Sequence, residues 1–184
     1  FSFFCGFFNA SAVMIGKKAG AGELDDAYDY GKKFAWVCPL FSLMACLIFL
    51  PFMFVIPGWY HLSPTAAQYL MWMWCAYLLF FPMRTSNFIQ NADYRAGGSA
   101  VYGTTLEILA IFLISVPAVY VCGIVWELPF LLVFCSAYFE EFIKMPIEIR
   151  YTLSGKWIRP VTPEGKAALI TFSPKKKNRK PAAG

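Results

Sequence analysis

Charged residues are scarce in this chain of 184 residues. Asp, Glu, Lys and Arg make up 15% of it, well below the roughly 25% that is usual in soluble domains. Hydrophobic residues make up 59% and aromatic residues 19%, which is more apolar surface than one core of this size can bury away from water. The composition therefore argues against a soluble enzyme, a disordered chain and a small disulfide-rich scaffold.

Histidine and paired cysteine motifs are missing as well. His61 is the only histidine, and the six cysteines all lie in apolar stretches without forming a Cys-x-x-Cys motif. Neither a zinc site nor a His-dependent catalytic triad can be assembled from this set. We therefore expect no enzyme activity, no catalytic residue, no metal site and no cofactor, and we interpret the cysteines as buried thiols that act as small hydrophobic residues.

The positive charge is concentrated at one end of the chain. Residues 144–184 contain ten bases and two acids, a net charge of +8, whereas residues 1–143 contain six bases and nine acids, a net charge of −3. This distribution predicts a basic tail that lies beside anionic lipids rather than a spread binding face. We therefore expect no nucleic-acid partner.

Long uncharged stretches predict five helical membrane spans. Residues 34–83 contain no formal charge, and because about 20 apolar residues cross a bilayer as a helix, this stretch predicts two crossings. The prolines and the glycine at 57–64 supply the turn between them. The predicted segments are 1–16 (the end of a membrane helix), 17–34 (a cytoplasmic elbow), 35–57 (a membrane helix), 64–95 (a membrane helix with a polar inner half), 103–126 (a membrane helix), 129–150 (a membrane helix) and 151–184 (a basic cytoplasmic tail).

The basic residues of the connections orient these spans. Lys and Arg follow the first, third and fifth spans and are missing between the second and third and between the fourth and fifth. This alternation is the pattern of the positive-inside rule and predicts a cytoplasmic C-terminus. The chain is thus predicted to be an all-α integral membrane protein. Because it starts with a phenylalanine and has no basic region of a signal peptide, we expect a fragment of a longer protein.

Four polar residues lie near one face of the inner half of the third span: Arg84, Asn87, Asn91 and Arg95, with Gln90 next to Asn91. Polar side chains at membrane depth usually face protein or water rather than lipid. Two interpretations remain open, namely the wall of a water-filled cavity and the ordinary polar end of a helix that has left the membrane. Pro82, just before them, is expected to kink the helix and to free the carbonyl near Leu78.

Two acidic features lie in the fourth and fifth spans. Glu107 lies about one turn inside the fourth span and could bind a cation or a proton, or pair with Arg95 or a nearby lysine. The fifth span contains Glu140, Glu141, Lys144 and Glu148, of which Glu140, Lys144 and Glu148 share one face at four-residue spacing. Two interpretations are open, an ion-pair ladder whose lysine reaches the inner surface and coupling-ion binding by Glu140.

Several strings together resemble the multidrug and toxic compound extrusion (MATE) family of transporters. They are Asn9-Ala10 with the glycines of 15–22, Tyr94-Arg95-Ala96-Gly97-Gly98, Glu107 with Pro117, and Glu141-x-x-Lys144 followed by 150–157. The resemblance implies helices eight to twelve of a twelve-helix protein, in the second of its two six-helix lobes. The missing N-terminal lobe of the same protein and the lipid bilayer would be its structural partners.

The resemblance also implies a function. MATE proteins are multi-pass antiporters of the plasma membrane that exchange an organic cation or another drug for H⁺ or Na⁺ by rocking two lobes around a central cavity. We expect a bacterial host, a small-molecule substrate and a cavity lined partly by Asn87, Gln90, Asn91 and the aromatic residues of spans two and three. Glu107 is the best candidate for a charge-sensitive role.

Two other functions remain open. One is a related flippase for lipid-linked saccharides. A lateral groove rich in arginine would favour this function, and Arg84 in the third span is consistent with it. The other is a membrane subunit without transport activity. Polar faces of the third and fourth spans that meet in a shared cavity would argue against it.

Overall fold

The computed structural model describes residues 2–173, except for the side chain of residue 3. Every regular element in this part of the chain is helical. The helices are α1 (Ser2–Gly20), α2 (Leu24–Phe49), α3 (Phe52–Trp59), α4 (Pro64–Ala96), α5 (Ala100–Ala110), α6 (Val116–Tyr120), α7 (Phe130–Ala137), α8 (Phe139–Ser154) and α9 (Pro163–Leu169). The predicted basic tail is described only as far as residue 173, and its segment 174–184 lies outside the described residues.

Within residues 2–173, two helices are long and apolar enough to cross a membrane, Leu24–Phe49 and Ala100–Val125, each of 26 residues. They correspond to the second and fourth predicted spans. The second of them is built from α5, α6 and two π-helical segments, Ile111–Ser115 and Val121–Val125. Both are consistent with a helical protein that associates with a membrane. The remaining three spans stay predictions.

The segment 17–34, predicted as a helix–turn–helix elbow, contains the end of α1, a turn and the start of α2. Helix α1 continues to Gly20, and α2 already begins at Leu24 rather than at 35. Gly22 makes the turn with a φ of +81°, a conformation that glycine adopts without steric cost. Across this turn the Lys18 ammonium contacts Glu23 and lies 3.3 Å from Asp26, and both carboxylates raise the pKa of Lys18.

Two predicted spans are interrupted. The segment 35–57 is divided between α2 and α3 at Pro51, which has no backbone N–H to continue the helical hydrogen bonds. The segment 129–150 is divided between α7 and α8 at Tyr138. The segment 64–95, in contrast, is one helix, whose start is capped by the Ser63 hydroxyl accepting from the Ala66 N–H at 3.3 Å.

The freed carbonyl that Pro82 predicts has a side-chain contact in the structure, whereas the predicted kink stays a prediction. A proline leaves the carbonyl four residues earlier, here that of Leu78, without its helical donor. The Cys46 thiol of α2 lies 3.7 Å from this oxygen. The Thr85 hydroxyl lies within 3.1 Å of the carbonyl of Phe81. Side chains therefore satisfy the carbonyls around the proline, as membrane helices require.

Trp157 joins several helices at one end of the bundle. It is completely buried and packs where Gly31 of α2 and Gly97 at the end of α4 leave space. Its indole Nε1 donates to the carbonyl of Thr152 at 3.0 Å. Nearby, the Thr162 hydroxyl donates to the carbonyl of Gly20 at 2.7 Å. The ends that the charge pattern assigns to the cytoplasm thus meet at the same end of the protein.

Candidate functional site

An open cavity of about 230 Å³ lies between α4 and α5. Polar side chains from both helices line it, together with two apolar ones. The lining residues are Phe88, Asn91, Arg95, Thr104, Glu107 and Ile108.

Close packing of α4 on α5 forms one wall of this cavity. The Asn91 amide donates to the carbonyl of Gly103 at 3.4 Å. A Cβ atom at Gly103 would lie 2.5 Å from the Asn91 Oδ1. The glycine therefore allows the approach that brings Asn91 and Glu107, one from each predicted span, to one space.

Lys144 of α8 lies behind the cavity wall. Its side chain is 1% exposed, and its Nζ is 3.1 Å from the Glu107 Oε2. The same Nζ lies 3.5 Å from Glu140 and 3.4 Å from Glu141. Lys144 is thus shared by three carboxylates, and the idea that it reaches the inner surface is wrong. The alternative in which Glu107 pairs with a lysine is confirmed, with the lysine in the interior of the protein.

The predicted ladder along α8 is confirmed only in its first half. Glu140 contacts Lys144, but both carboxylate oxygens of Glu148 are buried without a hydrogen-bond partner among the described residues. The lysine ammonium instead lies within 3.5 Å of Glu107, Glu140 and Glu141. Glu148 itself is fully buried.

Asn87 faces α8 rather than the cavity. It is 2% exposed, and its amide donates to the Glu141 carboxylate at 2.6 Å and to the Glu141 carbonyl at 3.2 Å. A charge-assisted hydrogen bond of this kind fixes both side chains. Asn87 therefore links α4 to the carboxylates around Lys144 from behind the cavity.

Gln90 belongs to the same interface between α4 and α8. Its Oε1 accepts from the Thr152 hydroxyl at 2.7 Å, and its Nε2 donates to the carbonyl of Ser86 at 3.2 Å. The Thr152 hydroxyl also lies 2.9 Å from the Tyr94 hydroxyl. Gln90 is fully buried, so it is held by partners on two helices and does not line the cavity.

Arg84 takes a third position. Its guanidinium lies over the rings of Phe88 and Tyr138, 5.5 and 5.6 Å from their centroids. Such cation–π contacts keep an arginine among aromatic residues. Of the six predicted site residues, the structure thus brings Asn91 and Glu107 to the cavity and Glu140 to Lys144, whereas Asn87, Gln90 and Arg84 lie elsewhere.

A second groove, of about 290 Å³, lies between α2, α4 and α8. Its walls are mainly apolar, Ser86, Gln90 and Thr152 supply its polar groups, and Lys32 is its only charged lining residue. The predicted aromatic lining is divided between the two spaces, because Phe88 of span three lines the cavity and Trp36 of span two lines this groove.

Sequence reasoning missed one feature of this site. It grouped Glu140, Glu141, Lys144 and Glu148 in the fifth span but did not identify Lys144 as the centre of a charged cluster that also contains Glu107. The three- and four-residue spacings from Glu140 and Glu141 to Lys144 were the available signal. The acid nearest to the end of α4, Asp93, points elsewhere: it accepts from the Ser11 hydroxyl of α1 and is 2% exposed.

Comparisons with family models, curated proteins and solved structures identify no relative, since none of the three returns a match to this chain.

Proposed function

We propose that this chain is part of a MATE-type antiporter, which exports organic cations or other drugs in exchange for H⁺ or Na⁺. In this proposal the protein crosses the plasma membrane of a bacterium several times, with its C-terminus in the cytoplasm. The observation that carries the proposal is the cavity shared by α4 and α5, into which both helices direct polar side chains. Polar residues within apolar helices typically mark the pathway of a substrate or an ion.

The charges around the cavity favour a cationic substrate. Glu107 and Arg95 both line the cavity, and the side chain of Glu107 is 29% exposed. Behind Glu107 lie Glu140, Glu141 and Glu148, so that this cluster holds four carboxylates around one ammonium, that of Lys144, which contacts three of them. A cluster with more acids than bases attracts cations when its acids are ionised. A cation in the cavity would compete with Lys144 for Glu107.

The same geometry bears on the two alternatives. The lateral groove between α2, α4 and α8 has one lysine and no arginine among its lining residues, which does not favour a saccharide flippase. The polar faces of α4 and α5 meet in one cavity, which argues against a subunit without transport activity. The convergence of the Lys- and Arg-bearing helix ends at Trp157 supports the proposed orientation.

Replacement of Glu107 by Gln tests the proposal in the complete protein that contains this chain. Because Gln cannot pair with a cation, we expect efflux of ethidium from cells to fall by about tenfold, equivalent to the loss of roughly 1.4 kcal/mol, with a weaker dependence on external pH. Glu164→Gln in α9, at an exposed position, is the matched control. Unchanged efflux and unchanged pH dependence in Glu107→Gln, at equal protein levels, would contradict the proposal.

A further inference from the structure

Glu148 is a buried acid whose carboxylate has no hydrogen-bond partner among the contacts described above. It lies one helical turn after Lys144 in α8, its side chain is 0% exposed, and neither carboxylate oxygen has a hydrogen-bond partner within residues 2–173. Tyr94 of α4 donates at 2.7 Å to the main-chain carbonyl of Glu148 and not to its carboxylate. Buried polar atoms nearly always have a hydrogen-bond partner, so the protonation state of an acid with two unpartnered oxygens needs an explanation.

The titratable groups around Glu148 come from three helices. Helix α8 contributes Lys144 and Glu141, α5 contributes Glu107 and Tyr102, and α4 contributes Tyr94. Lysine is the only cation of this set. A lysine ammonium has three N–H donors, and Lys144 contacts three carboxylates that belong to other glutamates. No donor of Lys144 therefore remains for Glu148.

Other unpartnered atoms of the cluster have the same chemical character. The Oε2 of Glu140 and the Oδ1 of Asn87 are also buried without a hydrogen-bond partner in the described part of the chain. Like the oxygens of Glu148, they are acceptors. The cluster thus lacks donors and positive charge, and a proton on a carboxylate supplies both. A metal cation fits less well because the ammonium of Lys144 already occupies the centre of the carboxylates.

We infer that Glu148 binds the proton that this antiporter exchanges, and that an organic cation at Glu107 and the proton at Glu148 exclude each other. The inference deepens the proposed function and rests on it. An unpaired carboxylate in a dry interior is strongly disfavoured, whereas the neutral acid is tolerated. In the state described here, Lys144 pairs with Glu107, and Glu148 is neutral.

The exchange follows from the position of Lys144 between the two acids. When an organic cation enters the cavity and pairs with Glu107, it weakens the contact between Glu107 and Lys144. The ammonium then turns to Glu148, whose O–H bond breaks and whose proton passes to water. One positive charge enters and one leaves, so the charge of the cluster is unchanged. Proton binding at Glu148 reverses the steps and expels the cation.

Infrared spectroscopy of the complete protein in lipid nanodiscs tests the proton itself. At neutral pH we expect a carbonyl band of a protonated carboxyl group that is lost in Glu148→Gln and retained in the exposed control Glu164→Gln. Should Glu148→Gln fail to fold, Glu148→Asp keeps the carboxyl group and should shift the band. Persistence of the wild-type band in Glu148→Gln, or its absence from the wild type, would overturn the inference.

Calorimetric titration with tetraphenylphosphonium, a permanently charged organic cation, tests the mutual exclusion. In buffers of different ionisation enthalpy, the wild type and Glu164→Gln should release about one proton for each cation bound, and Glu148→Gln should release none. Binding without proton release in the wild type would overturn the inference. The proposed function would then require exchange with another ion, Na⁺. A complete lack of binding would instead count against the proposed substrate class, and the infrared band would still decide whether Glu148 holds a proton.

Discussion

Replacing Lys144 by Met removes the cation that three carboxylates of the site contact. The change keeps an unbranched side chain of similar length, so that packing is largely preserved. Glu107, Glu140 and Glu141 lose their common partner, at 3.1, 3.5 and 3.4 Å. Because the lysine is 1% exposed, water cannot readily replace it.

The expected decrease in the free energy of unfolding is large, but it is smaller than the Coulomb attraction between Lys144 and its three carboxylates. At these distances each contact is worth about 5 kcal/mol at an effective dielectric constant of 20, and burying the charges costs several kcal/mol for each ion. Removal of one partner from a buried ion pair typically destabilises a protein by about 3–5 kcal/mol. We therefore expect the unfolding midpoint of Lys144→Met to fall by about 10 °C.

Thermal unfolding of the purified protein in detergent measures this effect. Lys166→Met, at an exposed position of α9, is the matched control and should change the stability by less than about 0.5 kcal/mol. The double variant Lys144→Met with Glu141→Gln should recover part of the lost stability, because a neutral amide then replaces one of the carboxylates left without Lys144. If Lys144→Met is as stable as the control at neutral pH, the buried cation does not stabilise the cluster and the reasoning is refuted.

Two further predictions concern packing. In Gly97→Ala the new methyl group would lie 2.5 Å from the Trp157 ring, so we expect the free energy of unfolding to fall by about 1–3 kcal/mol. Gly58→Ala, with open space around it, should be neutral. Equal thermal midpoints for the two variants would contradict the close packing of Trp157 on Gly97. In single-cysteine variants in detergent, the exposed Cys75 should react with N-ethylmaleimide at least about tenfold faster than the buried Cys38, and equal rates would contradict the packing of α2 on its neighbours.

Local features of the structure followed well from the sequence. The glycines after α1 predict its end, and the structure ends α1 at Gly20 with a turn at Gly22. Pro82 predicts a carbonyl without its helical donor, and a thiol from α2 lies beside it. These predictions succeed because a missing N–H group or a missing Cβ acts within a few residues of its position.

The six-residue site was harder to predict. Arg84, Asn87 and Asn91 lie near one face of α4, yet they face different neighbours in the structure. The spacing along a helix gives the direction of a side chain but not the element that packs there. For the same reason the sequence placed the Lys144 ammonium at the inner surface, although the glutamates of α5 and α8 hold it inside.

The sequence by itself determined that the described chain is helical, that much of its surface is apolar and where its basic residues cluster, because hydropathy and helix-ending residues are local properties. Only the tertiary structure decided which polar groups share a space. The contact between Glu107 and Lys144 joins residues 37 positions apart, and the contact between Asn87 and Glu141 joins residues 54 positions apart. Such contacts depend on how α4, α5 and α8 pack, and no short sequence pattern encodes that packing.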